Sequence, residues 1–183
     1  MNSDSVLLNS THKKEQFNCG KPTLDNYIRV QASQDIKRKL AACFVLADDH
    51  NNVKGYFTLS ASSIPRELLP DHIRNKLPAY RNMPVTLLGR LAIDNNHKRQ
   101  RLGEYILIDA LKKNLISSAS IGSIAVVVDP IDDDASNFYK LFGFMPLAES
   151  RKMFLPMLTL SKLLRTLFKG TTNTPPNDKT PGR

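Results

Sequence analysis

The chain has 183 residues, 41% of them hydrophobic and 23% charged, which is the composition of one globular domain and not of a disordered or fibrous protein. Twenty-six Lys and Arg against 17 Asp and Glu leave a net charge of +9, a balance that disfavours acidic surfaces and suits a polyanionic partner or cofactor. No apolar run approaches the roughly 18 residues of a membrane span, Met1 to Asp4 shows no secretory pattern, and Cys19 and Cys43 are too few for a disulfide framework, so the expectation is a cytoplasmic protein without membrane contact.

Val6 to Leu8 is short and apolar and opens a sheet. From Pro22, the positions Leu24, Tyr27, Ile28 and Gln31 recur at helical spacing, with Asp25 in the first turn and Lys37, Arg38 and Lys39 at the far end, where the helix dipole favours cations. Ala42–Ala47 reads as a strand, residues 48–52 as a turn, and Val53–Ser60 as the returning partner. Pro70, Pro78 and Pro84 punctuate the next stretch and leave room for short helices at Arg66–Leu69 and His72–Leu77. Val85–Ile93 is apolar on both faces, as a central strand must be. A basic turn leads into a helix from Leu102 or Gly103, Ile121–Val128 reads as a buried strand, Asp132–Leu141 as a helix, and Phe144 opens a last strand region. Leu160, Leu163, Leu164, Leu167 and Phe168 form an amphipathic helix, and this order of elements predicts a mixed α/β fold.

The positive charge has a location. Residues 1–128 hold 18 basic and 11 acidic side chains, whereas residues 129–168 hold five of each. The stretch from Lys169 on is polar and rich in Pro and Thr, which predicts one domain at 1–168 and a tail without a core at 169–183.

Two segments carry chemistry. In the first, a central strand ends at Asp94, a turn holds Lys98, Arg99 and Arg101, and a helix begins beside Gly103. Unpaired N–H groups at a helix start, close backbone approach at glycine and neighbouring cations make a cradle for phosphate, although cations in a turn are also ordinary surface. In the second, Ala135-Ser-Asn-Phe-Tyr139-Lys-Leu-Phe-Gly143-Phe144 is a helix closed by a glycine cap. Tyr139 is either a core aromatic or, through its phenol, a proton donor to a departing thiolate. Four scattered His and no paired Cys give no metal site.

Together these residues resemble the acetyl-coenzyme A-dependent N-acetyltransferases of the GNAT superfamily. The resemblance implies a central, mostly antiparallel, twisted sheet with one splayed parallel pair, flanked by helices. The family's turn, Gln/Arg-x-x-Gly-x-Gly/Ala, falls on Lys98-Arg99-Gln100-Arg101-Leu102-Gly103, with Lys at its first position and Arg101 in place of its first glycine. It implies coenzyme contacts from the backbone of Leu91, Ala92 and Ile93, from the turn and helix start at Lys98, Arg99, Gln100, Arg101, Leu102, Gly103 and Glu104, and from Asn137. It also gives Tyr139 the role of protonating the thiolate.

A narrower likeness follows. Phe17-Asn-Cys-Gly20-Lys-Pro-Thr-Leu24-Asp25-Asn-Tyr27-Ile28, Pro84 to Ala92 and Leu155-Pro156-Met157 are similar to segments of the GNAT-fold toxins of toxin–antitoxin pairs. That likeness implies acetylation of the α-amino group of aminoacyl-tRNA, arrest of translation, a homodimer, and neutralisation by a ribbon-helix-helix antitoxin. The basic surface fits such a substrate independently, because Lys and Arg contacts to phosphate supply most non-specific nucleic-acid affinity. Lys37, Arg38, Arg74, Lys76, Arg81 and Arg90 are the candidate tRNA contacts. The chain shows neither an activated Cys nor a Glu on the central strand to act as base, and Asp94 reads as a turn cap. An α-amine titrating near 7.7 to 8.0 tolerates that absence better than a Lys amine at about 10.4. A GNAT enzyme for a small amine or protein N-terminus, a non-enzymatic nucleic-acid-binding module, and an inactive member spoiled at Arg101 remain as alternatives.

Overall fold

The computed structural model describes residues 4–169, built around a seven-stranded sheet in the order β1-β2-β3-β4-β5-β7-β6. The strands are β1 (Val6–Leu7), β2 (Ala42–Ala47), β3 (Val53–Pro65), β4 (Asn82–Ile93), β5 (Ala125–Val128), β6 (Met145–Pro146) and β7 (Met153–Pro156). All neighbours are antiparallel except β4 and β5, which pair in parallel over Thr86–Leu88 and Val126–Val128. The expected mixed α/β sheet with one parallel pair is therefore present.

The hairpin between β2 and β3 closes because Asp48 accepts hydrogen bonds from the backbone N–H of His50 at 2.9 Å and of Asn52 at 2.8 Å, while Asn51 takes the left-handed conformation (φ +65°). The helix from Pro22 is one run in three pieces: α1 (Pro22–Asn26), a π-helical turn (Tyr27–Gln31) and α2 (Ala32–Lys37). A 20-residue helix, α4 (Leu102–Ile121), crosses one face of the sheet beside α5 (Asp133–Leu141) and α6 (Met157–Lys169). Alternate residues of β5 serve opposite cores. Val126 and Val128 pack with Leu107, Leu111, Leu160 and Leu164, whereas Ala125 and Val127 pack with Ile64, Leu69 and Phe154. This is why all four residues of β5 are buried and apolar.

One feature of β4 sets the site. Thr58 of β3 opposes Arg90 while Leu59 opposes Leu88, so Gly89 is an extra residue, a β-bulge. The extra residue shifts the alternation. Leu88 and then Leu91 and Ile93 face the α4 core, whereas Leu87, Arg90 and Ala92 face the other side. A Cβ built on Gly89 would lie 3.2 Å from the hydroxyl oxygen of buried Thr58, so Gly89→Val crowds the Thr58 side chain at the bulge. We expect it to lower unfolding free energy by about 1–3 kcal/mol in urea denaturation.

Several boundaries differ from the sequence reading. The strand expected from Ile121 starts at Ala125, because α4 continues through a 76% exposed Ile121 and stops at Gly122 in a positive-φ cap. β-branched residues at a helix end look like a strand until the glycine stop is recognised. β3 runs to Pro65, five residues beyond Ser60, because β4 begins at Asn82 and pairs with it throughout as a two-stranded ribbon. The second short helix, α3 (Asp71–Arg74), ends before Leu77, and the single last strand region expected from Phe144 is two strands, β6 and β7. α6 includes Lys169, and the remainder of the expected tail, 170–183, lies outside the described residues.

Candidate active site

β4 and β5 part after Leu88 and Val128, so the β4 edge from Gly89 to Ile93 has no sheet partner on that side among the described residues. A cavity of about 430 Å³ opens there, lined by Leu91 and Ile93, the turn residues Lys98 and Arg99, the start of α4 at Gly103, and Phe138 of α5. The first intrahelical bond of α4 runs from the Tyr105 N–H to the Arg101 carbonyl at 3.1 Å, and no side chain among the described residues caps the helix start. The N–H groups of Leu102, Gly103 and Glu104 are thus the unpaired donors of a 20-residue helix, at its positive end.

Arg101, which stands where the GNAT turn has glycine, adopts the left-handed conformation (φ +58°), as does Arg99 (φ +61°). The backbone therefore keeps the path that a glycine would allow, at a cost of about 1 kcal/mol. The Arg101 guanidinium is exposed and pairs with Glu104 at 3.1 Å. Gln100 and, on α5, Asn137 are exposed, whereas the Ala92 side chain is buried on the opposite face of β4.

The loop at Phe17–Gly20 braces this turn, a task that the sequence reading did not assign to it. Lys98 donates through Nζ to the Cys19 carbonyl at 2.8 Å, the Asn95 N–H donates to the Asn18 carbonyl at 2.8 Å, and the Asn18 N–H donates to Asp94 at 2.9 Å. Buried Asp94 also accepts from the Asn96 N–H at 2.9 Å, the expected turn cap with a second, long-range duty. Asp94→Ala orphans both donors, and we expect a loss of about 1–3 kcal/mol in chemical denaturation. A second brace joins Lys21, before α1, to Asp132, the N-cap of α5, at 2.7 Å.

Tyr139 sits in the α4-side core with Leu88 and Val128, the last paired residues before the strands part, and Leu91, Ile93 and Leu102 pack against the same cluster. Its ring lies 5.5 Å from that of Phe138 and 5.3 Å from that of Phe144. Burial pushes its phenol above the ordinary tyrosine range, so it keeps its proton throughout neutral pH. Both thiols are also held protonated. Burial, with a hydrogen bond to Asp25, pushes Cys19 up to about 11, and burial pushes Cys43 up to about 12. Neither is a nucleophile at neutral pH, in keeping with the expected absence of an activated cysteine.

On the other side of the fork lies a second cavity of about 640 Å³, between the α1 helix run, β4 at Gly89 and Arg90, and the segment after β5. Arg90 stacks on the Tyr27 ring with its guanidinium carbon 3.7 Å from the ring centroid. Of the six candidate tRNA contacts, Lys37, Arg38, Lys76 and Arg81 are exposed and have no ion pair among the described residues. Arg74 pairs with Asp71 and donates to the Glu67 carbonyl at 3.4 Å. Arg74, Lys76 and Arg81 belong to one segment tied together by Arg66, whose N–H donates to the Arg81 carbonyl and whose guanidinium donates to that of Arg74. Lys37 and Arg38 lie apart, at the end of α2.

A parallel pair forking beside a helix start that no side chain caps among the described residues is the arrangement expected of an acyltransferase of the GNAT class. Tyr139 lies buried in the core cluster that holds Leu88 and Val128 and lines neither cavity. No protein-family model matches the sequence. The chain is 34% identical over 128 residues, 70% of its own length and 75% of the relative's, to a tRNA-acetylating toxin of Mycobacterium tuberculosis. It matches the structure of AtaT complexed with acetyl-methionyl-tRNAfMet with a TM-score of 0.81 and 26% identity, covering 87% of this chain and 98% of that one. It matches AtaTR bound with AcCoA with a TM-score of 0.76 and 27% identity, covering 88% and 98%. The chain belongs to the family of tRNA-acetylating toxins, acetyl-CoA-dependent N-acetyltransferases of the GNAT fold.

Proposed function

We propose that this protein transfers an acetyl group from acetyl-CoA to the α-amino group of aminoacyl-tRNA and thereby blocks translation. The observation that carries the reading is the fork itself: an unpaired β4 edge meets the uncapped start of α4, and exposed cations surround the site. These residues fit the coenzyme. The N–H groups of Leu102, Gly103 and Glu104 suit its pyrophosphate, and the backbone of Leu91, Ala92 and Ile93 offers its amide-bearing arm a strand to pair with. Lys98, Arg99 and Arg101 line the cavity, while Gln100 in the turn and Asn137 on α5 are exposed. The Lys98 ammonium holds the Phe17–Gly20 loop in place, so its contribution there is to turn geometry as well as charge.

When bound, the coenzyme supplies an activated acetyl thioester. The chain's residues do the rest: the β4 edge and α4 start orient the thioester, the α5 core around Phe138 excludes water, and Tyr139 gives the departing sulfur its proton. The amine attacks directly, because neither thiol is available as an intermediate carrier. Exposed Lys37, Arg38, Lys76 and Arg81 hold tRNA phosphates, with Arg74 and Arg90 already engaged within the protein.

A homodimer and neutralisation by a ribbon-helix-helix antitoxin are part of the same reading and rest on the likeness of residues 17–28, 84–92 and 155–157 to the toxin group. No described helix is long and apolar enough to cross a membrane, and a cytoplasmic location follows from the substrate. A cell-free translation reaction supplied with charged tRNA should stop on addition of the protein and acetyl-CoA, and continue when either is left out. Arrest without acetyl-CoA would overturn the enzymatic reading.

A further inference from the structure

The cavity on the α1 side of the fork holds one carboxylate, Asp129, among the residues that line it, with Asn26 and Gln31 of the helix run and the cations Arg90 and Lys152. Asp129 is the first residue after β5, immediately past Val128, where β5 ends beside Leu88 of β4. It therefore stands at the mouth of the fork, beside the unpaired segment of β4 that begins at Gly89.

Several other acids in the described chain have a structural task. Asp25 accepts from the Cys19 N–H, Asp94 from two backbone N–H groups, Asp109 from Ser5 and Lys113, and Asp132 from Ala135 and Lys21. Asp71 and Glu104 pair with arginines. Asp129 makes no hydrogen bond or ion pair among the described residues, although two cations line the same cavity. The Arg90 guanidinium is occupied over the Tyr27 ring. Asp129 is exposed at the rim of this cleft beside the reacting strand, where it has the charge that an incoming ammonium needs, and Asn26 and Gln31 add neutral acceptors.

We propose that Asp129 receives the α-ammonium of the aminoacyl ester and accepts the proton that its nitrogen sheds during acetyl transfer. This rests on the aminoacyl-tRNA reading above and supplies the base that β4 lacks. The bound ammonium first gives one proton to solvent. In the transfer step the neutral amine attacks, the new N–C bond forms, the thioester C–S bond breaks, and the nitrogen has one further proton to shed. The nitrogen's proton passes to the Asp129 carboxylate and the sulfur takes the proton of Tyr139. Both side chains then return to their resting forms by exchange with water, so charge and atoms balance.

The test compares wild type with Asp129→Asn and Asp129→Glu. For acetylation of charged tRNA, Asp129→Asn should lose about 100-fold in kcat/KM and Asp129→Glu should recover part of it, while calorimetry shows acetyl-CoA binding unchanged in both. A second readout needs no turnover. A tRNA with a non-hydrolysable 3′-amide-linked aminoacyl group, of the kind that the enzyme acetylates fastest, is bound with its α-amine either free or acetylated. Wild type should prefer the free amine by about 10-fold or more, as expected for a charge-assisted contact, and Asp129→Asn should bind both alike. If wild type acetylates charged tRNA and Asp129→Asn keeps its rate and its preference, the Asp129 role is wrong and the function stands. If wild type acetylates no charged tRNA, the function itself fails and the Asp129 role falls with it.

Discussion

Tyr139→Phe should lower kcat for acetyl transfer by about 10²- to 10⁴-fold, the usual contribution of a positioned general acid. The substitution removes one oxygen from a ring that Phe138, Phe144 and the α5 core hold in place, so fold and acetyl-CoA affinity should be unchanged. The pH dependence follows from the direction of its shift. A phenol raised above its ordinary value stays protonated as pH rises through 8 and 9, so its proton-donor role persists there. The rate should therefore climb as the acceptor amine loses its proton, around 7.7 to 8.0 for a free α-amine, and show no alkaline decline below about pH 10. Single-turnover acetylation across pH 6–10 checks both statements. A Tyr139→Phe variant of full activity, or a decline near pH 9, would remove the acid from the mechanism.

Neutralising Lys37, Arg38, Lys76 and Arg81 together should weaken tRNA binding by about 10²- to 10³-fold near 0.1 M salt, with the slope of log K against log salt shallower by about 3. The estimate counts four phosphate contacts of ordinary weight, and all four side chains are exposed and have no ion pair among the described residues. Arg74 and Arg90 are excluded because their guanidinium groups already serve Asp71 and the Tyr27 ring. Removing Arg90 would disturb the cavity wall as well as its charge. Fluorescence anisotropy over a salt series, with acetyl-CoA affinity as the control, separates the effects. An unchanged slope would move the tRNA surface elsewhere on the protein.

The sequence carried more of the fold than of the geometry at the site. β2, the start of α4 and the left-handed Gly143 were legible because each has a local cause: apolar pattern, turn or positive φ. Gly89 looked like any glycine in a strand, and its bulge became visible only through the register of β3 against β4. That bulge decides that Arg90 faces Tyr27 while Leu91 faces α4, a division that strict alternation would misplace. The departure at Arg101 could not be weighed without its backbone angle, which shows arginine adopting the glycine path. The bracing by Asn18, Cys19 and Asp94 links residues more than 70 positions apart and left no local pattern to find. Asp129 was passed over for the same reason, since only the fork places the end of β5 beside β4.

The central claim is that the acceptor is the α-amine of an aminoacyl group esterified to tRNA. The most direct measurement incubates the protein with labelled acetyl-CoA and total charged tRNA, cleaves the tRNA with nuclease, and identifies the labelled 3′-terminal fragments by mass spectrometry. The expected product is N-acetyl-aminoacyl-adenosine, lost when the tRNA is deacylated beforehand. Label appearing on a small amine or a protein N-terminus while charged tRNA remains unmodified would contradict the account.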